Sequence, residues 1–216
     1  MADMTKPIET GSVLMEKNRM ESLTDGIFAF AMTLLVTSMI LPGDAVPSLS
    51  SDRMLLSLLP EFYHYLIAFF VLAAFWMSHH EQFCRVHNID NKFLYLNLTG
   101  LFFVTLVPFS TSFIGDYDSD TLATCLFEFN LLILGLIFSL QWLYATRNLR
   151  LISPDFTETS ILGGLYHGMI IPVISLIGII ISLAGFGSST MVYLIAPLVS
   201  YAVDGQVKRD TSDRAE

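Results

Sequence analysis

The chain has 216 residues, 53% of them hydrophobic and only 14% charged, with a formal net charge of −9. A soluble domain carries roughly 25% charged residues, so this composition excludes a soluble enzyme and leaves no room for a separate aqueous domain. No nucleic-acid partner is expected of so acidic and apolar a chain.

Residues 1–18 form a polar head that opens Met1-Ala-Asp-Met-Thr-Lys-Pro-Ile-Glu-Thr. It lacks the basic stretch, apolar run and small-residue cleavage site of a secretory signal, so insertion is expected to rely on the first true span. Apolar segments then follow at about Met20–Leu41, Met54–Met77, Phe93–Phe113, Thr121–Tyr144 and Ile161–Ala184. Each reaches the roughly 20 residues that cross a bilayer. The last, Thr190–Val203, is short and is expected to borrow residues 187–189 at its start. Residues 204–216 form a polar tail. The two cysteines, Cys84 and Cys125, make no disulfide framework, and this topology puts them near opposite faces.

Orientation follows from the Lys and Arg residues of the connections. Lys6 and Lys17 of the head with Arg19 at the start of the first span, Arg85 and Lys92 of the 78–92 loop, Arg147 and Arg150 of the 145–160 loop, and Lys208, Arg209 and Arg214 of the tail share one side. The opposite side holds only Arg53 of the 11 basic residues. The expected fold is therefore an all-α, multi-pass membrane protein with six transmembrane helices and both termini in the cytoplasm. Its parts are a cytoplasmic segment 1–18, a transmembrane domain 19–203 and a cytoplasmic tail 204–216. Asp44, Asp52, Asp116, Asp118 and Asp120 fall on the outer side. They read either as solvated loops or as a field that enriches cations at an outer mouth.

The first span carries the most information, because polar groups inside a membrane are costly and mark function. It begins Arg19-Met-Glu-Ser-Leu-Thr-Asp-Gly26. Arg19 and Glu21 can snorkel to the interface, whereas Asp25 lies further in. At about 100° per residue, Leu23, Phe30, Leu34, Thr37 and Leu41 form one stripe with Thr33 at its border, and Asp25 points nearly the opposite way. The stripe is either a pore face or an ordinary helix-packing or lipid face. Asp25, turned into helix packing, needs a donor. The stretch Phe75-Trp-Met-Ser-His-His-Glu-Gln-Phe83 offers histidines nearby, and one of them is expected to supply that donor. Adjacent His79 and His80 project in different directions and make a poor chelate, so neither a metal site nor a cofactor is expected.

These residues also carry a resemblance. Arg19-x-x-x-Leu-Thr-Asp-Gly26 resembles the Arg-x-x-x-Phe-Ser-Asp-Gly signature of the lysosomal potassium channel family, the transmembrane protein 175 family. Phe28-Ala-Phe-Ala-Met-Thr-Leu-Leu-Val36 is similar to the pore helix of its prokaryotic members. Phe75-Trp-x-x-His-His80, Asn97-Leu and Pro108-Phe-Ser-Thr111 follow in the same order. The resemblance covers roughly residues 17–115. It implies a potassium-permeable channel of the prokaryotic plasma membrane, a homotetramer that passes potassium ions along its first helices. The implied pore residues are Phe30, Thr33, Leu34 and Thr37, with a hydrophobic gate. Arg19, Thr24, Asp25, Gly26, Trp76, His79 and His80 are implied to form a structural motif that knits the first helix to the second and third. Leu23 and Thr24 replace the usual Phe and Ser, and Phe30 stands where the family has Ile or Leu.

Two other readings compete. A metal-dependent intramembrane hydrolase would need motifs such as His-Glu-x-x-His or Gly-x-Ser-x-Gly, which the chain lacks. A secondary transporter would be expected to show inverted repeats, and no convincing halves emerge.

Overall fold

The computed structural model describes residues 17–37, 50–117, 120–152, 158–186 and 189–213. Residues 1–16 of the head, Leu41 of the stripe, Asp44, Asp118 and positions 187–188 lie outside the described residues. Among those described, the chain is α1 (Lys17–Thr37), α2 (Ser51–Ser57), α3 (Leu59–Arg85), α4 (Asn91–Asp116), α5 (Thr121–Thr146), α6 (Glu158–Leu183) and α7 (Ala196–Asp213). Two short 3-10 turns, Arg147–Leu149 and Ser189–Ile195, precede α6 and α7. Helices α1, α3, α4, α5 and α6 are long and apolar enough to cross a membrane, and Ser189–Val203 is a shorter apolar helix.

The second apolar segment differs from its sequence reading at both ends. It breaks at Leu58, and Pro60 sits in the first turn of α3, where a missing N–H removes no helical bond. At the far end α3 runs on to Arg85, so Ser78, His79, His80 and Glu81 are helical and not a loop. The buried face explains this: His79, Gln82 and Phe83 continue the inward row set by Ile67, Leu72 and Phe75. Arg85 in the last turn also suits the negative end of the helix dipole.

Helix α5 packs between α4 and α6, while α1 packs on α3 and α4 and touches neither α6 nor α7. α1 therefore lies at one edge of the bundle. Phe28, Leu35, Leu72, Leu101, Val104, Leu131 and Leu134 fill the shared core. Without a hydrophobic drive between helices in lipid, close approach depends on small residues. At Gly135 a Cβ would lie 2.5 Å from the ring of Pro172, so only glycine lets α5 and α6 meet there. The Ser189–Ile195 turn is tied inward by the Ser189 hydroxyl donating to Glu128 Oε1 at 2.7 Å and Tyr193 to Ser175 at 2.9 Å. The second of these bonds anchors the turn to α6, which fixes where α7 begins.

At one end of the bundle the α3–α4 and α5–α6 connections meet. Val86 and Ile152 form an antiparallel bridge, and the His87 N–H donates to the Leu151 carbonyl at 2.8 Å. Val86 and Ile152 belong to a second apolar cluster with Met20, Phe83, Phe93 and Leu151. Asp90 clamps this end. It caps α4 by accepting from the Phe93 N–H at 2.9 Å, accepts from the Tyr144 hydroxyl, and pairs with Arg150 at 3.1 Å. Burial raises the Asp90 carboxyl, but the Tyr144 hydroxyl, the Phe93 N–H and Arg150 together hold it below the usual carboxylate value. The fold thus favours the ionised form. Its stabilisation is complete above about pH 4, the ordinary carboxylate value, and is lost as pH falls through the lower folded value. Asp90→Asn is expected to cost about 1–3 kcal/mol at neutral pH and to flatten the acid limb of stability. Thermal melts of both proteins across a falling pH series check this.

Candidate functional site

Helix α1 is covered on one face only. Met20, Thr24, Phe28, Ala31 and Leu35 are buried at spacings of three and four residues, which is one side of an α-helix. The residues of the predicted stripe are left uncovered: Leu23 (37% exposed), Phe30 (65%) and Leu34 (36%), with Thr33 and Thr37. Among the described residues, no other helix covers them. Two side-chain bonds set the chemistry of this face. Thr33 Oγ1 donates to the Phe30 carbonyl and Thr37 Oγ1 to the Leu34 carbonyl, both at 2.8 Å. Each hydroxyl spends its hydrogen on its own helix, so its oxygen lone pairs remain for an outside partner.

Polar contacts fasten α1 to its neighbours, although Asp25, expected in helix packing, is exposed in the single chain at the rim of the covered face. The Trp76 indole N–H on α3 donates to Asp25 Oδ1 at 2.8 Å. This corrects the expected histidine partner: the donor is one turn before His80, whose ring instead stacks on Trp76 with centroids 5.7 Å apart. His80 Nδ1 lies 3.7 Å from Glu21. Deeper in, Asn97 of α4 joins four helices. Its Nδ2 donates to Thr24 Oγ1 at 3.0 Å, while its Oδ1 lies 2.7 Å from His79 Nε2 and accepts from Gln141 Nε2 at 3.3 Å. An amide oxygen only accepts, so His79 carries its proton on Nε2. Thr24, His79, Asn97 and Gln141 are all at most 3% exposed. His79 is further held by stacking on Phe83, centroids 4.3 Å apart.

The structure therefore brings together Thr24, Asp25, Trp76, His79 and His80, as α1–α3 and α1–α4 ties. Two implied motif residues are not brought in. Arg19 is exposed and makes no ion pair among the described residues, which leaves its implied knitting role without a contact. Gly26 faces open space, where a Cβ would meet no atom within 4 Å. Gln141 was missed. The signal for it was an amide inside the apolar run Phe138-Ser-Leu-Gln-Trp142. Among the described residues, no three His, Cys, Asp or Glu side chains gather as a metal site would require.

Residues 19–108, which hold every member of this constellation except Gln141, match the family model described as the endosomal/lysosomal potassium channel TMEM175. The chain is 32% identical over 142 residues to a potassium channel of Chamaesiphon minutus, covering 64% of this chain and 70% of that one. A potassium channel of Streptomyces collinus is 29% identical over 143 residues, covering 64% and 69%. The fold is similar to a solved lysosomal potassium-selective channel TMEM175 homolog from Chamaesiphon minutus. The TM-score is 0.72 at 24% identity, over 89% of this chain and 98% of that one.

Proposed function

This chain belongs to the family of the endosomal/lysosomal potassium channel TMEM175, and from that membership we propose that it is a potassium-permeable channel lined by α1. The observation that carries the pore assignment is the one-sided packing of α1. Its uncovered face presents Phe30, Thr33, Leu34 and Thr37, whereas Asp25 is committed to Trp76. A homotetramer brings four such faces onto one axis and covers the apolar surface that a single chain leaves open.

On that axis the roles divide by chemistry. Thr33 and Thr37 offer outward hydroxyl oxygens that replace part of a cation's hydration shell. Phe30 and Leu34 form apolar rings, which gate by dewetting. Asp25 is a structural tie and not an ion ligand. The basic end of the bundle lies in the cytoplasm by the asymmetry of Lys and Arg. The shorter apolar segment Ser189–Val203, made of the Ser189–Ile195 turn and the start of α7, serves in this reading as the sixth crossing, so that both the head 1–18 and the tail 204–216 face the cytoplasm of a bacterial plasma membrane. The transmembrane domain is 19–203.

Liposomes that carry the purified protein are expected to take up rubidium down a potassium gradient, electrogenically and with modest discrimination against sodium. Uptake that is stoichiometrically coupled to protons, with no electrogenic leak, contradicts the channel reading.

A further inference from the structure

A second polar feature lies away from α1. Between the last two turns of α3 and the first turns of α6 there is a pocket of about 180 Å³. Because α1 does not touch α6, this pocket is separate from the α1 face. Ser78, Glu81, Gln82 and Arg85 line it from α3, and Ser160 and His167 from α6, around the opening left by Gly163 and Gly164. The lining is polar, yet it sits on two helices apolar enough to span a membrane and is flanked in sequence by exposed Met77 and Leu162.

The charges are arranged for a dipolar ligand. Arg85 and Glu81 are one turn apart, with their closest nitrogen and oxygen at 3.9 Å, beyond hydrogen-bond length. The guanidinium is held over the Trp142 ring, 5.9 Å from its centroid. Trp142 itself is buried, and Gly164 packs directly on it: a Cβ there would lie 2.8 Å from the indole. The indole N–H is already given to the Ile161 carbonyl at 3.0 Å. Arg85 is thus positioned by contacts that consume none of its N–H donors, and a planar guanidinium suits a phosphate. Glu81, 64% exposed along its side chain, keeps its oxygens for a cationic donor.

We propose that this pocket binds the headgroup of a zwitterionic phospholipid with a primary ammonium, its phosphate on Arg85 and its ammonium on Glu81. The site rests on the membrane reading above and is independent of which residues line the pore. A choline headgroup fits the charges but has no N–H to give Glu81. A glycerol headgroup has no cation at all.

The test is native mass spectrometry of the purified full chain in detergent, titrated separately with phosphatidylethanolamine, phosphatidylcholine, phosphatidylglycerol and diacylglycerol. Phosphatidylethanolamine is expected to be retained best and diacylglycerol not at all. Arg85→Gln is expected to weaken its binding about tenfold, the scale of a charge-assisted contact. Arg85→Lys restores part of that loss. Glu81→Gln is expected to reduce phosphatidylethanolamine to the level of phosphatidylcholine. Equal binding of phosphatidylglycerol with no effect of Glu81→Gln overturns the proposal in favour of a general phosphate site. Unchanged phosphatidylethanolamine binding in both charge-removing variants overturns it outright. Rubidium flux from the same preparations separates this outcome from the channel reading: lost lipid binding with intact flux fails only the lipid site, and retained lipid binding without flux fails only the channel.

Discussion

Asn97→Leu is expected to be among the most destabilising single substitutions in the bundle. It removes the one group that pairs with Thr24, His79 and Gln141 at once. Interhelical hydrogen bonds in membranes average about 0.6 kcal/mol and reach about 1.7, so three of them set a range of about 2–5 kcal/mol. The upper part of the range applies, because the His79 and Gln141 N–H groups are left buried without acceptors and such groups lose their full solvation. Replacing His79 as well removes one orphan. The Asn97→Leu/His79→Phe pair should therefore cost less than the sum of its parts. Thermal melts in detergent with yield of the assembled oligomer measure both. An Asn97→Leu protein that melts like the parent rules out the four-helix tie.

Phe30→Ala is expected to raise resting current about tenfold, the change that follows from roughly 1.4 kcal/mol off a permeation barrier. A large apolar ring at a constriction gives water and ions no compensation for lost hydration. Truncation widens and shortens that barrier. Phe30→Asn, which can hold water, should also raise current and in addition weaken potassium selectivity. The alternative role is packing against another subunit. Within one chain Phe30 is 65% exposed, so its truncation removes little packing there. If it is instead buried between subunits, a cavity costs about 3–5 kcal/mol. Stability and flux measured on the same sample separate these outcomes. Raised flux with unchanged melting supports the gate, and lowered melting with unchanged flux moves that role to Leu34.

Much of this was legible in the sequence for a specific reason. The α1 stripe was found from periodicity alone, because a helix that must cover one face repeats its buried residues every three or four positions. Met20, Thr24, Phe28, Ala31 and Leu35 do so. The end of α3 was not legible. Ser78-His-His-Glu81 reads as polar and therefore as loop, yet His79 is buried by partners on α4 and by Phe83 and Phe138. Nothing local reveals those partners. The donor to Asp25 failed in the same way: composition favoured histidine, but the crossing of α1 over α3 places the Trp76 indole there. Gln141 pairs with a residue 44 positions away, a distance over which only the packing of α4 on α5 decides. Pro60 was visible, but whether it breaks a span or starts one depends on where the chain turns.

The central claim, that the uncovered face of α1 lines the ion path, is tested most directly by thiol accessibility under current recording. In a Cys84→Ser/Cys125→Ser background, cysteine is placed singly at Thr33, Thr37 and Leu35, and a charged methanethiosulfonate is applied to channels in a planar bilayer. Potassium current should fall on modification of Thr33→Cys and Thr37→Cys and remain unchanged for Leu35→Cys, which is buried against the rest of the chain. Block at Leu35→Cys with none at the two threonine positions would contradict the assignment and turn α1 the other way.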